Sequence, residues 1–195
     1  MTQSTKGIRV VTILGTGRPG NYTGKALALV NDELEKAGAT VTNFDPANRK
    51  LGFPGESPTE DAQELQEVLR EATGVVLATP EYHGTFSGML KLIIENLGFP
   101  SALAGKPVVL LGVAAGSIGA IKSLEQLRGV CSHVGAIVLP GPVSVAGVKK
   151  VFDEDGNCLD ARVERQVRGV ATNLMDFIRQ NVCPRIALEA MVREQ

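Results

Sequence analysis

Covalent and metal ties are scarce in this sequence. Its 195 residues include only three cysteines, Cys131, Cys158 and Cys183, widely spaced and with no C-x-x-C pair. An odd, scattered set of this kind is expected as reduced thiols, which excludes a disulfide framework and a zinc site. An excess of one charge is missing too. Twenty Lys and Arg stand against 21 Asp and Glu, for a net charge of −1. No basic surplus is present to hold nucleic acid or an anionic membrane, and the chain is not strongly acidic either. Long hydrophobic runs are absent: the mostly apolar stretch Pro107–Gly116 is far too short to span a bilayer. The polar start, Met1 to Gly7, shows no signal-peptide pattern, so a cytoplasmic protein is expected. Internal repeats, low-complexity tracts and linkers are also lacking, which implies one domain over residues 1–195. Such a chain must be held by its core alone. Its 44% apolar and 21% charged residues, at this length, suffice for that.

What is present is a regular alternation of strand and helix patterns. Ile8–Leu14 is rich in β-branched residues and predicts a buried strand. From Tyr22 to Ala37, Leu27, Val30 and Leu34 recur at helical spacing, with Gly38 as the stop. Ala39–Phe44 alternates polar and apolar residues, as a half-exposed strand does. Asp45–Ser57, with Pro46, Gly52, Pro54 and Gly55, is a loop. Ser57-Pro58-Thr59-Glu60 has the form of a capping box with proline at the first helical position, and the helix behind it carries Leu65, Val68 and Leu69. Val75–Ala78 is a third strand and Thr79–Phe86 a loop. Leu90, Ile93, Ile94 and Leu97 line the next helix. Val108–Val113 is a fourth strand, Ala114–Gly119 a small-residue turn, and Ile121, Leu124, Leu127 and Cys131 mark another helix. Ala136–Leu139 is the fifth strand. Val163, Val167, Val170, Leu174, Phe177 and Ile178 give the buried face of a last long helix. The tail after Pro184 has no place in this core, either as a frayed end or as an arm that packs on another subunit. The pattern predicts an α/β fold: a doubly wound, five-stranded parallel sheet with helices on both faces.

The turn after the first strand reads Gly15-Thr16-Gly17-Arg18-Pro19-Gly20-Asn21-Tyr22-Thr23. Gly15, Gly17 and Gly20 fit G-x-G-x-x-G, and Asp45 ends the second strand where a Rossmann fold places its ribose acid. Strand order separates that reading from its rival. The Rossmann order 3-2-1-4-5-6 buries the second strand, whereas the flavodoxin-like order 2-1-3-4-5 leaves it at the edge. Alternate polar residues in Ala39–Phe44 suit an edge. The loop's chemistry agrees. Thr16, Asn21 and Thr23 offer side-chain donors and Arg18 a positive fork, which with backbone N–H groups and the helix N-terminus surround a terminal phosphate dianion. Thr79-Pro80-Glu81-Tyr82-His83-Gly84 follows the third strand and faces the same crevice. Its backbone can meet the polar edge of a flat ring, and Tyr82 offers an aromatic plane. Ala114-Ala115-Gly116-Ser117, after the fourth strand, has side chains small enough to let such a ring approach the backbone.

The run Thr79–Leu97, TPEYHGTFSGMLKLIIENL, resembles the signature of the NAD(P)H-dependent FMN reductases, roughly [ST]-P-E-Y-x-G-x-x-x-G-x-L-K-N-x-x-D. The first loop is similar to that family's G-S-x-R-x-x-S, and Gly112–Leu127 to its G-x-x-x-G-x-x-G segment. Three spaced motifs in order are more specific than any one of them. Thr16 and Asn21 replace the usual serines and keep hydrogen-bonding capacity. Leu92 and Glu95 stand where Asn and Asp are usual, on a helix, where altered packing or subunit contacts are expected.

The resemblance implies a flavodoxin-like fold that holds FMN, takes hydride from NADPH or NADH, and reduces a small acceptor such as a quinone, azo dye, metal oxyanion or free flavin. The cofactor-binding residues are then Thr16, Arg18, Asn21, Tyr22 and Thr23 in the first loop, Pro80, Glu81, Tyr82, His83 and Gly84 in the second, and Ala115 and Gly116 in the third. Hydride passes between stacked rings without a side-chain acid or base, so no catalytic residue and no metal ligand is assigned. His83 is expected as a polar turn residue. A homodimer or homotetramer is expected by resemblance, as is a small-molecule electron acceptor. Two rivals remain: a flavodoxin-type electron carrier with no turnover of its own, against which the near-zero charge speaks, and a Rossmann NAD-binding enzyme.

Overall fold

The computed structural model describes residues 7–193. Residues 1–6, which hold most of the polar start tested for a leader, and 194–195 lie outside the described residues. The chain opens with β1 (Arg9–Leu14), α1 (Tyr22–Lys36) and β2 (Thr40–Phe44). Then come α2 (Glu60–Glu71), β3 (Gly74–Tyr82), β4 (Thr85–Phe86), α3 (Gly88–Glu95) and β5 (Pro107–Val113). It closes with α4 (Ile121–His133), β6 (Ile137–Val138), β7 (Val143–Val145), α5 (Ala161–Phe177) and α6 (Cys183–Arg193).

The sheet order is β2-β1-β3-β5-β6, parallel throughout this path. β2 therefore lies at the edge, as its polar residues foretold, and the Rossmann order is excluded. Among the described residues the expected five strands are seven. The fifth position is shared by two short strands: β6 pairs with Pro107 and Val108, and β7 with Leu111–Val113 of the same β5. Pro140 and Pro142 lie between them, and a residue without an N–H cannot donate to a ladder. The other addition is β4. The segment Thr79–Phe86, expected as a loop, instead carries β3 on to Tyr82 and folds back as a hairpin. Thr79 and Pro80 still pair with Gly112 and Val113, then Glu81 and Tyr82 pair with Phe86 and Thr85.

Side chains alternate across the strands and build two cores. Val10, Leu14, Val76, Ala78, Val109 and Leu111 face α1 and α5, where Leu27, Val30, Leu34, Val167, Val170 and Leu174 meet them. Val11, Ile13, Val75, Leu77, Val108 and Leu110 face the other way, onto Leu65 and Leu69 of α2, Leu90 and Ile93 of α3 and Leu127 of α4. Each fully buried aliphatic side chain of this kind contributes about 2 kcal/mol. Cys131 belongs to the second core, and burial pushes its thiol up to about 12, so it stays protonated and inert.

Polar contacts fix the helix ends. The box at Ser57 is displaced by two residues: Thr59, not Ser57, caps α2, accepting from Ala62 N–H at 3.2 Å. The cause lies in the preceding loop. Thr59 Oγ1 also donates to Lys50 C=O at 2.6 Å, and Asp61 accepts from Lys50 N–H at 2.7 Å and from Arg49 at 2.8 Å, which staples the loop to the first turn. Asp160 caps α5 through Arg162 and Val163. Arg168 of α5 binds Asp32 and Glu33 of α1 and Glu164 of its own helix, joining the two helices across one face. After α5 the helix widens through a π turn at Ile178–Val182 and runs on as α6, none of whose residues is buried. Among the described residues no helix is long and apolar enough to cross a membrane.

Candidate functional site

The registers bring three loops to one place. Leu14, the last residue of β1, is paired with Ala78 of β3, and Pro80 of β3 with Val113, the last of β5. The segments that follow all leave the C-terminal edge of the sheet beside one another. That edge, between the strands where the chain reverses direction across the sheet, is where open α/β folds place their ligands.

The first loop is shaped by a close approach. Gly15 N–H donates to Ala78 C=O at 2.7 Å, and a Cβ on Gly15 would lie only 2.7 Å from that same oxygen. No residue with a side chain fits there. Gly15 C=O accepts from Ser87 Oγ, so both halves of the Gly15 backbone are held by the neighbouring strand and its extension. Thr16 is nearly buried, and its Oγ1 accepts from Arg18 N–H at 3.3 Å. Asn21 caps α1: its Oδ1 accepts from Gly24 N–H at 2.6 Å and its Nδ2 donates to Arg18 C=O at 2.7 Å. The amide of Asn21 thus spends two of its hydrogen-bonding groups on the loop's own shape. Arg18 is exposed and forms no ion pair among the described residues. Tyr22 and Thr23 open the helix, where the first amides have no intrahelical partner. Tyr22 lies beside Lys25, whose ammonium is 5.1 Å from the ring centre and donates to Asp153 C=O at 2.6 Å.

The second loop is the hairpin. His83 (φ +53°) and Gly84 (φ +81°) both have positive φ between paired Tyr82 and Thr85, the form of a two-residue type I′ turn. His83 is exposed, as a turn residue should be. Glu81 does not point its carboxylate outward as a free charge, since Oε1 accepts from Gly84 N–H at 2.5 Å. Pro80 is buried and Tyr82 is 39% exposed. Gln126 of α4 holds the hairpin from outside, its Oε1 accepting from Thr85 Oγ1 at 2.5 Å and its Nε2 donating to Gly84 C=O at 3.3 Å. In the third loop Ala115 and Gly116 are exposed, and Gly116 C=O accepts from Gly147 N–H at 3.0 Å, which anchors the turn to the segment after β7.

The expected residues therefore lie at one end of the sheet: Thr16, Arg18 and Asn21 in the first loop, Tyr22 and Thr23 in the first turn of α1, Pro80–Tyr82 at the end of β3, His83 and Gly84 in its turn, and Ala115 and Gly116 in the third loop. Three others were missed: Thr79 and Ser87, which lie beneath the loops, and Gln126. Ser87 had a legible signal, a serine directly ahead of the apolar helical pattern of Leu90, Ile93 and Ile94. Thr79 opens the [ST]-P-E-Y signature, though nothing there gives its hydroxyl a role, and the clamp of Gln126 has no local signal, because it depends on the hairpin.

An orphaned donor tests whether FMN suits the first loop. The N–H of nearly buried Thr16 meets no acceptor among the described residues, and it stands with Arg18 and the opening amides of α1. Donors without acceptors next to a free guanidinium fit an anion, and a phosphate dianion satisfies several of them together.

Edge strand β2, the parallel order β2-β1-β3-β5-β6 and a donor-rich first loop at the turning point of the sheet define the flavodoxin-like class of α/β proteins. Comparison with known proteins narrows the class. Residues 8–150 match the family described as NADPH-dependent FMN reductase. The quinone reductase of Escherichia coli K12 is 30% identical over 186 residues, covering 89% of this chain and 96% of its own. The NADPH azoreductase of a Bacillus species is 32% identical over 145 residues, covering 72% of this chain and 78% of its own. Among solved structures, FerB of Paracoccus denitrificans, a flavoenzyme NAD(P)H:(acceptor) oxidoreductase, superposes with a TM-score of 0.74 at 21% identity over 89% of this chain and 98% of that one. The chain belongs to the NADPH-dependent FMN reductase family.

Proposed function

We propose that this protein is an FMN-dependent oxidoreductase that passes hydride equivalents from NADPH or NADH to a small organic acceptor of the quinone or azo type. The observation that carries the proposal is the convergence, at the sheet's turning point, of a donor-rich loop, a hairpin with an exposed turn at His83 and a loop of small residues. Family membership supports the cofactor, and the quinone and azo relatives support the acceptor class.

Bound FMN supplies the two-electron chemistry; the chain supplies binding, orientation and electrostatics. Thr16, Arg18, Asn21, Tyr22 and Thr23 hold the phosphate, with Asn21 acting mainly through the helix it caps. Pro80, Glu81, Tyr82, His83 and Gly84 hold the ring edge, and Glu81 does so by keeping the Gly84 turn closed. Ala115 and Gly116 leave the ring face open to nicotinamide and then to acceptor. The active form is a homo-oligomer.

The test is steady-state oxidation of NADPH and NADH by FMN-loaded protein, with a quinone and an azo dye as acceptors. Turnover that needs FMN and no second protein is the expected outcome. Loaded protein that oxidises neither nucleotide unless a partner reductase is added would make it an electron carrier and overturn the proposal.

A further inference from the structure

We propose that Ser87, with Thr79, is a positioning residue that sets the phosphate loop for FMN from beneath, an inference that rests on the function proposed above. Ser87 is 2% exposed and Thr79 is fully buried. Both lie beneath the surface, yet between them they bond to the backbone of the first loop, of the hairpin strand and of α3. Ser87 Oγ donates to Gly15 C=O and accepts from Leu90 N–H at 3.0 Å, at the start of α3. Ser87 N–H donates to Thr79 Oγ1 at 3.1 Å, and Thr79 Oγ1 donates in turn to Pro80 C=O at 2.9 Å. The chain Pro80–Thr79–Ser87–Gly15 thus runs from the ring-side hairpin to the first residue of the phosphate loop.

The geometry of one peptide unit gives this chain its purpose. C=O and N–H of a trans peptide point to opposite sides of the same plane. Gly15 C=O and Thr16 N–H belong to one such unit. By holding the carbonyl, Ser87 turns the Thr16 N–H away from itself, and that amide is the orphaned donor of the loop. Gly15 has no side chain to resist rotation of this peptide, so its orientation depends on the bonds made at either end. A serine is suited to the task because one hydroxyl donates to the carbonyl and accepts from the helix at the same time.

A residue that merely stabilises the fold would weaken every ligand alike. A residue that orients the phosphate loop weakens only ligands carrying the phosphate. The experiment is therefore the affinity of the full-length protein for FMN and for riboflavin, measured by quenching of flavin fluorescence, alongside thermal melting. Ser87→Ala should bind FMN about tenfold more weakly, as expected for loss of one well-oriented donor to a charged group, with riboflavin changed by less than about twofold. Ser87→Thr, which restores the hydroxyl, should recover the FMN affinity. Thr79→Val keeps the shape and leaves the Ser87 hydroxyl in place. It should show the same selective loss at about threefold, and it carries the test if Ser87→Ala does not fold. Equal losses for FMN and riboflavin, or no loss for FMN, in the variants would overturn the inference. Wild-type protein that holds riboflavin as tightly as FMN would instead remove the phosphate cradle itself, a distinguishable failure of the underlying function.

Discussion

The two loops that leave adjacent strands β1 and β3 are built by opposite means. Gly15–Asn21 has no secondary structure of its own, and its shape comes from hydrogen bonds to its neighbours: Ala78 and Ser87 on one side, the capped helix on the other. Tyr82–Thr85 makes its own shape by strand pairing and a two-residue turn, with Glu81 and Gln126 as braces. A phosphate needs several N–H groups aimed at one point, which a helix N-terminus and the irregular backbone leading into it can supply together. A ring edge needs a straight, rigid backbone, and paired strands provide it. The difference is one between a borrowed conformation and an intrinsic one, and substitutions should separate the two.

The largest effect should come from Gly15→Ala, which places a methyl group against backbone that cannot yield. A loss of ~3 kcal/mol is expected in denaturant unfolding, together with loss of FMN binding. A variant as stable as the parent would mean the loop has room to move and its shape is not borrowed from β3. Arg18→Ala should cost about tenfold in FMN affinity, worth ~1.4 kcal/mol, while the melting temperature of the flavin-free protein stays put, since the side chain is exposed and unpaired among the described residues. Unchanged affinity by titration would show that the guanidinium takes no part. On the hairpin side the sign reverses. His83 occupies a left-handed position that asparagine adopts more readily, so His83→Asn should stabilise by ~0.5 kcal/mol in the same unfolding assay. Destabilisation would mean the imidazole makes a contact that outweighs its backbone.

The smallest effect lies away from both loops and serves as their control. Hydrogen bonds from Lys36 and then Arg168 hold the Asp32 carboxyl below its usual range. A carboxyl depressed in the folded state adds stability above its ordinary pKa near 4 and loses it as the pH falls through the folded value. The α1–α5 clamp should therefore loosen only below about pH 4, and Arg168→Gln should flatten that acid limb of a melting-temperature profile. The group is exposed, so the change is slight. An acid limb identical in both proteins would remove Asp32 from the account.

The same contrast explains what was legible from the residues alone. The irregular first loop, proposed above as the phosphate site, stands out in the sequence because glycine, threonine, asparagine and arginine there declare backbone freedom and donors directly. So does the edge position of β2, through the alternation of Thr40, Thr42 and their neighbours. The hairpin was read as a loop because Pro80 and Gly84 signal breaks, and nothing local says that Glu81 and Tyr82 will find partners five and three residues on. β7 was hidden for the same reason, behind Pro140 and Pro142. The cap of α2 moved to Thr59 because Lys50 competes for it from a distance. In each case the deciding bond is one that a neighbouring pattern does not contain.

The two borders of the sheet are built differently. At one border β2 presents Thr40, Thr42 and Asn43 to solvent, and at the other the ladder is broken at Pro140–Pro142 into pieces of two and three residues. Among the described residues neither border offers a long apolar edge, so a second copy of the chain gains little hydrophobic burial by extending the sheet. An assembly of this protein would gain more area from the exposed apolar residues of α6, Ile186, Leu188, Met191 and Val192, than from the rim of the sheet.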